Sequence, residues 1–71
     1  MPLTMVAEGR TARLREVRGG HGVRGRLAAM GLVPGSEIEV LRNSGTGPFV
    51  VVVRNSRIVL GRGMAMKIEV E

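Results

Sequence analysis

One histidine, six glutamates and no aspartate or cysteine are all the strong proton-transfer and metal-ligating side chains in this 71-residue chain. A Ser–His–acid triad would need Ser36, Ser44 or Ser56 beside His21 with a glutamate behind it. Those serines fall in turn patterns, where a hydroxyl is better used bonding the local backbone. Glu37 and Glu39 alternate on one face of a strand pattern and do not flank a cleft as a general acid and base would. Without cysteine there is no thiol nucleophile, thiolate metal site or disulfide. His21 is the one candidate metal ligand. A single imidazole per chain holds Fe(II) or another divalent ion weakly, unless two copies of the chain meet at it. The thioethers of Met5, Met30, Met64 and Met66 suit Cu(I) better, and Met64 and Met66 read as gap-fillers in a small core. These residues describe a protein that is not an enzyme and has no cofactor of its own.

Binding chemistry is the alternative. Gly19-Gly20-His21-Gly22 stands between a strand and a helix pattern, where a phosphate loop would sit, but lacks the spacing and the Lys-Ser/Thr ending of one. The formal net charge is +5, and six of the ten arginines lie between Arg10 and Arg26 against one acid, Glu16. Such a cluster suits phosphate or an acidic partner; it also fits a chain that uses Arg where others use Lys, since Lys67 is the only lysine. Small basic barrels that bind single-stranded nucleic acid stack bases on aromatic side chains. The only aromatic residue here is Phe49, which the strand pattern sends to the core, so no nucleic-acid partner is expected. A polyproline groove needs aromatic walls as well.

The elements that must position these residues are short. Pro2 to Val6 is an apolar lead-in containing Leu3, Met5 and Val6. From Arg10 the chain alternates, with Ala12 and Leu14 on one face. The next apolar residue, Val17, comes one position late, which calls for a bulge near Arg15-Glu16. Val23, Leu27 and Met30 recur at helical spacing. Gly31 follows as a left-handed cap, and Leu32 folds back toward Leu27. Val33-Pro34-Gly35-Ser36 reads as a type II turn. Glu37 to Arg42 is a strand with Ile38 and Val40 inward. Phe49 to Val53 is the strongest strand signal. A turn at Arg54-Asn55-Ser56-Arg57 leads back through Ile58-Val59-Leu60, and Met66, Ile68 and Val70 alternate in a last strand. Residues 1–71 thus make one mainly β domain. Its five short strands form a small bent barrel, with a short helix inserted between the first and second strands.

No charged–apolar–small leader opens the chain. The longest apolar run, Phe49 to Val53, is far below the roughly 20 residues that span a bilayer. A cytoplasmic protein without direct membrane insertion is therefore expected. One surface stands out. If Phe49, Val51 and Val53 face the core, then Val50 and Val52 face outward, and so does Val59 on the paired strand. Either the barrel's bend, the lead-in or the helix covers this apolar patch, or a protein partner or second copy does.

The order of strand, Gly-rich loop, Arg-Leu helix, Gly-Leu-Val-Pro-Gly, Glu-Ile-Glu-Val and valine hairpin resembles the ferrous iron transport protein A (FeoA) family over nearly the whole chain. Arg26-Leu27-Ala28-Ala29-Met30-Gly31-Leu32-Val33-Pro34-Gly35 is its most specific stretch. The resemblance implies an SH3-like β-barrel and an accessory role in ferrous iron uptake, through contact with the FeoB-type membrane transporter and its GTP-binding domain. It also leaves open an effector module of a metal-dependent repressor. The contact candidates are Val50, Val52 and Val59, with Arg24, Arg26 and Arg62. Arg62 enters because the family often carries Arg where this chain has Gly61, and Arg62 is next to it.

Overall fold

The computed structural model describes residues 1–71. Strand β1, Thr11–Val17, buries Leu14 and Val17 and exposes Arg15 and Glu16 between them. Its register against β5, Ile68–Val70, runs Leu14 to Val70, Glu16 to Glu69 and Val17 to Ile68, with a shift between Leu14 and Glu16. The bulge expected from the late Val17 is therefore present, and it keeps both apolar residues on the core face.

Helix α1, His21–Ala29, buries only Leu27 fully. Its end is a complete Schellman motif. Gly31 has φ +89°, and its N–H donates to the Ala28 carbonyl at 2.9 Å, while the Leu32 N–H donates to the Leu27 carbonyl at 2.9 Å. Leu27 and Leu32 both join the core, as the motif's apolar contact requires. The chain then turns at Val33–Ser36, with Gly35 at φ +93° and the Ser36 N–H donating to the Val33 carbonyl at 3.0 Å. Met30 does not complete the helix's apolar stripe: it is 40% exposed, because the Schellman turn carries the chain inward one residue later.

β2, Glu37–Arg42, and β3, Phe49–Val53, pair antiparallel with a register shift between Val40 and Arg42. β3 and β4, Ser56–Leu60, form a hairpin closed by Arg54 and Asn55 at φ 52° and 65°. Two successive positive φ values make a two-residue turn whose twist matches that of the strands. The strand order is β4-β3-β2-β1-β5. The sheet thus bends into an SH3-like barrel without hydrogen-bonded closure, since β4 and β5 do not pair. Short helix α2, Arg62–Ala65, links these two edge strands. The lead-in forms a 3-10 turn at Leu3–Met5 that packs on α2 and β5. Leu3, at 0% exposed, is among the 15 core residues, together with Phe49, Val51, Val53, Ala65, Ile68 and Val70. Met66, read as a gap-filler of the core, instead points to solvent at 61% exposed, and Met5 of the lead-in is 69% exposed. Met5 is on the outer side of its 3-10 turn, and Met66 caps α2 before β5 begins.

Candidate functional site

The β3–β4 hairpin has a strict two-face register. Phe49–Leu60, Val51–Ile58 and Val53–Ser56 are opposed on one face, and Val50–Val59 and Val52–Arg57 on the other. Phe49, Val51, Val53 and Leu60 are buried, Val50 and Val52 are half-buried, and Val59 is 64% exposed. The three valines therefore point away from the core. The lead-in does not cover them, because it lies on the opposite side of the sheet order, against β5 and α2.

Neighbouring strands extend this face in ways the sequence pattern missed. The irregularity between Val40 and Arg42 brings Arg42 opposite Val50 and leaves Leu41 half-buried beside it. Leu41, Arg42, Val50, Arg57 and Val59 line one shallow groove. Arg42 and Arg57 are exposed, and neither has a carboxylate within 4 Å. Glu39, opposite Val52, is the carboxylate on this side of the β2–β3 ladder. A signal for the bulge was present: apolar Val40 and Leu41 are adjacent where strict alternation allows only one of them inward.

The other candidates lie elsewhere. Arg24 and Arg26 are exposed on α1. The Arg24 Nε donates to the Val17 carbonyl at 3.2 Å, and the side chain lines a separate groove with Glu16 and Pro34. Arg62 is half-buried and turned into the protein. Its guanidinium carbon lies 5.5 Å from the centre of the Phe49 ring, its Nη2 donates to the Asn43 side-chain oxygen, and its Nη1 is buried without a hydrogen-bond partner. Asn43 in turn donates to the Thr4 and Val6 carbonyls, both at 2.9 Å, and its backbone N–H donates to Glu8 Oε2 at 2.7 Å. Arg62 thus fastens α2, the Phe49 ring and the lead-in together, and it does not take over an outward contact beside Gly61.

Three arginines of the basic cluster have carboxylate neighbours: Arg13 with Glu37 at 3.9 Å, Arg15 with Glu16 at 4.0 Å, and Arg18 with Glu69 at 3.7 Å. Exposed pairs of this kind contribute little stability, but they reduce the free positive charge of that face. The serines Ser36 and Ser44 bond their own turns. Ser36 Oγ donates to the Gly31 carbonyl at 2.8 Å, and Ser44 Oγ accepts from the Gly47 N–H at 3.3 Å. His21 is exposed as the first residue of α1. No three His, Asp or Glu side chains gather where they could hold a metal ion. No helix is long and apolar enough to cross a membrane.

A family model described as the FeoA domain matches residues 1–71. The chain is 40% identical over 70 residues to a protein of Methanocaldococcus jannaschii named "Putative Fe(2+) transport protein A", covering 99% of this chain and 84% of that one. Its fold superposes on the crystal structure of an iron uptake regulatory protein, FeoA, with TM-score 0.92, 34% identity, and 99% and 93% of the two chains covered. A zinc-complexed FeoA of Stenotrophomonas maltophilia, described as an SH3 domain protein, matches with TM-score 0.89 and 25% identity over 100% of this chain and 89% of that one. A manganese-dependent transcriptional repressor shares the fold over 39% of its length and 96% of this chain, with TM-score 0.84 at 20% identity.

Proposed function

The chain belongs to the FeoA domain family, and on that premise we propose that it is a non-enzymatic, cytoplasmic accessory protein of ferrous iron uptake. It acts by binding the cytosolic GTP-binding domain of a FeoB-type membrane transporter. The observation that carries this reading is the uncovered apolar face of the hairpin, where Val50 and Val59 stand opposed and Val59 is 64% exposed. Full burial of a valine side chain is worth roughly 1.5–3 kcal/mol, so two or three of them supply the apolar centre of a modest interface with Arg42 and Arg57 at its rim. Arg24 and Arg26 stand on α1, outside this face. Arg62 has no part in it, because its guanidinium is engaged inside the protein. His21 offers one imidazole per chain, so metal enters this reading as the transporter's cargo.

The double variant Val50→Thr with Val52→Thr tests the site. It should weaken binding to the transporter's cytosolic domain about tenfold or more while lowering the melting temperature only slightly. A large drop in melting temperature with unchanged affinity would mean that the face is ordinary packing. The rival reading as a nucleic-acid binder rests on the arginine cluster, and it requires binding that falls steeply with salt. A second reading, an effector module of a metal-dependent repressor, has the shared fold in its favour. It requires the chain to bind a repressor's DNA-binding portion in place of the transporter.

A further inference from the structure

The sheet has two edges, β4 and β5, and the chain treats them differently. Along β5, Pro2 bridges Glu69, the Val70 N–H donates to the Met1 carbonyl at 2.7 Å, and the terminal amine donates to the Val70 carbonyl at 2.8 Å. That edge is covered. Along β4, none of the turn, loop or cap hydrogen bonds reaches the backbone of residues 56–60. A hairpin closed by two residues places Val53–Ser56, Val51–Ile58 and Phe49–Leu60 as the hydrogen-bonded pairs, so the N–H and C=O groups of Arg57 and Val59 point away from β3. The same two residues carry the exposed side chains of the valine face. An open edge of this kind accepts an added strand.

The side chains beside that edge select what can be added. A strand laid along β4 places its own side chains next to Arg57 and Val59 on the outer face, with Val50 one strand in from β4 and Arg42 two strands in. Arg42 and Arg57 have no carboxylate partner within the chain, and Arg54 is exposed at the hairpin tip. Glu39 lies opposite Val52, farther from the edge. We infer that the β4 edge captures an extended partner segment in which an apolar residue is followed two positions later by an acidic one, paired antiparallel to β4, the carboxylate beside Arg57 and the apolar side chain beside Val59 on the same face. A second copy of this chain is the poorer fit, since it would bring the same unpaired arginines and a net charge of +5 against themselves. This inference deepens the proposed function by giving the chemistry of the partner segment, and it rests on that reading for where such a segment comes from.

The test uses the full chain and a short capped peptide with a valine two residues before a glutamate and threonine at the other positions, with a lysine-for-glutamate peptide as control. Chemical shifts and amide exchange are read at Arg57 and Val59. The glutamate peptide should shift and protect these two amides and bind about tenfold more tightly than the lysine peptide. Arg57→Glu should invert that preference. Val59→Pro removes an outward N–H without breaking the β3–β4 ladder, and it should abolish capture of both peptides with the melt retained. If Val59→Pro fails to fold, the charge inversion at Arg57 still decides. No protection at millimolar peptide, equal capture of both peptides, or protection that appears without peptide alongside a sedimenting dimer would each overturn the inference. If the transporter domain binds wild type and Val59→Pro equally well while Val50→Thr with Val52→Thr still weakens its binding, the edge is wrong while the transporter reading stands. If that domain does not bind at all, the transporter reading fails while the peptide experiment still reports on the edge.

Discussion

At the β5 edge, Met1 and Pro2 lie alongside the strand, the 3-10 turn at Leu3–Met5 packs on β5 and α2, and Asn43 and Arg62 bind this corner to the β2–β3 loop. At the β4 edge, a five-residue strand, two residues longer than β5, ends the same sheet with no covering segment and with Val59 64% exposed. Each strand pairs with one neighbour of the sheet, but only β5 has its outer backbone hydrogen-bonded, to Met1 and Pro2. The sealed side therefore carries much of the domain's stability, and the open side is left available for binding.

Changes on the sealed side should have the largest effect on stability. Leu3→Ala empties a position that is 0% exposed, with an expected cost of about 2–5 kcal/mol. In a domain of this size, each kcal/mol lowers the melting temperature by roughly 4–8 °C. A thermal melt that barely moves would show that the lead-in is an ornament and would remove the basis of the comparison. Asn43→Ala should cost about 2 kcal/mol, because it strips partners from the Thr4 and Val6 carbonyls and from Arg62 together. Denaturant titration, with Arg62→Met as a partner in a double-mutant cycle, measures whether the two act as one unit.

Gly31→Val probes the join between α1 and the hairpin. A side chain at φ +89° is strained, and its Cβ would stand 3.4 Å from Arg54 Cδ and 3.6 Å from Val53 Cγ1. A loss of about 1–2 kcal/mol is expected, with amide exchange rising first at the Schellman turn. On the open side the expectation reverses. Val59→Ser should alter stability by no more than about 0.5 kcal/mol while lowering affinity for the transporter domain. A large stability loss at Val59 would erase the distinction between the two edges.

What the sequence disclosed and what it hid follow the same division. The bulge before Val17, the stop at Gly31, the turn at Pro34-Gly35 and the outward set Val50, Val52 and Val59 depend on neighbours within a few residues, so spacing alone reveals them. The sealed corner depends on partners far apart in sequence. Asn43 bonds residues 37 and 39 positions away, and reads in sequence as an ordinary turn residue. Arg62 looked like a surface cation because nothing local says that its guanidinium will lie over Phe49. The exposure of Met5, Met30 and Met66 was hidden for a related reason. A periodic pattern marks which way a residue would face if its element continued, and each of these residues stands where an element ends. Arg42 and Arg57 joined the candidate face only once strand register was known.

The turn at the hairpin tip has a consequence of its own. Asn55 is at home with positive φ, but Arg54, at φ 52°, occupies a left-handed conformation that disfavours any residue with a β-carbon by roughly 1–2 kcal/mol. Glycine would remove that strain without altering the turn. The chain instead keeps an exposed guanidinium there, at the end of its open edge, and accepts a less stable hairpin as the condition for holding a positive charge at that point in space.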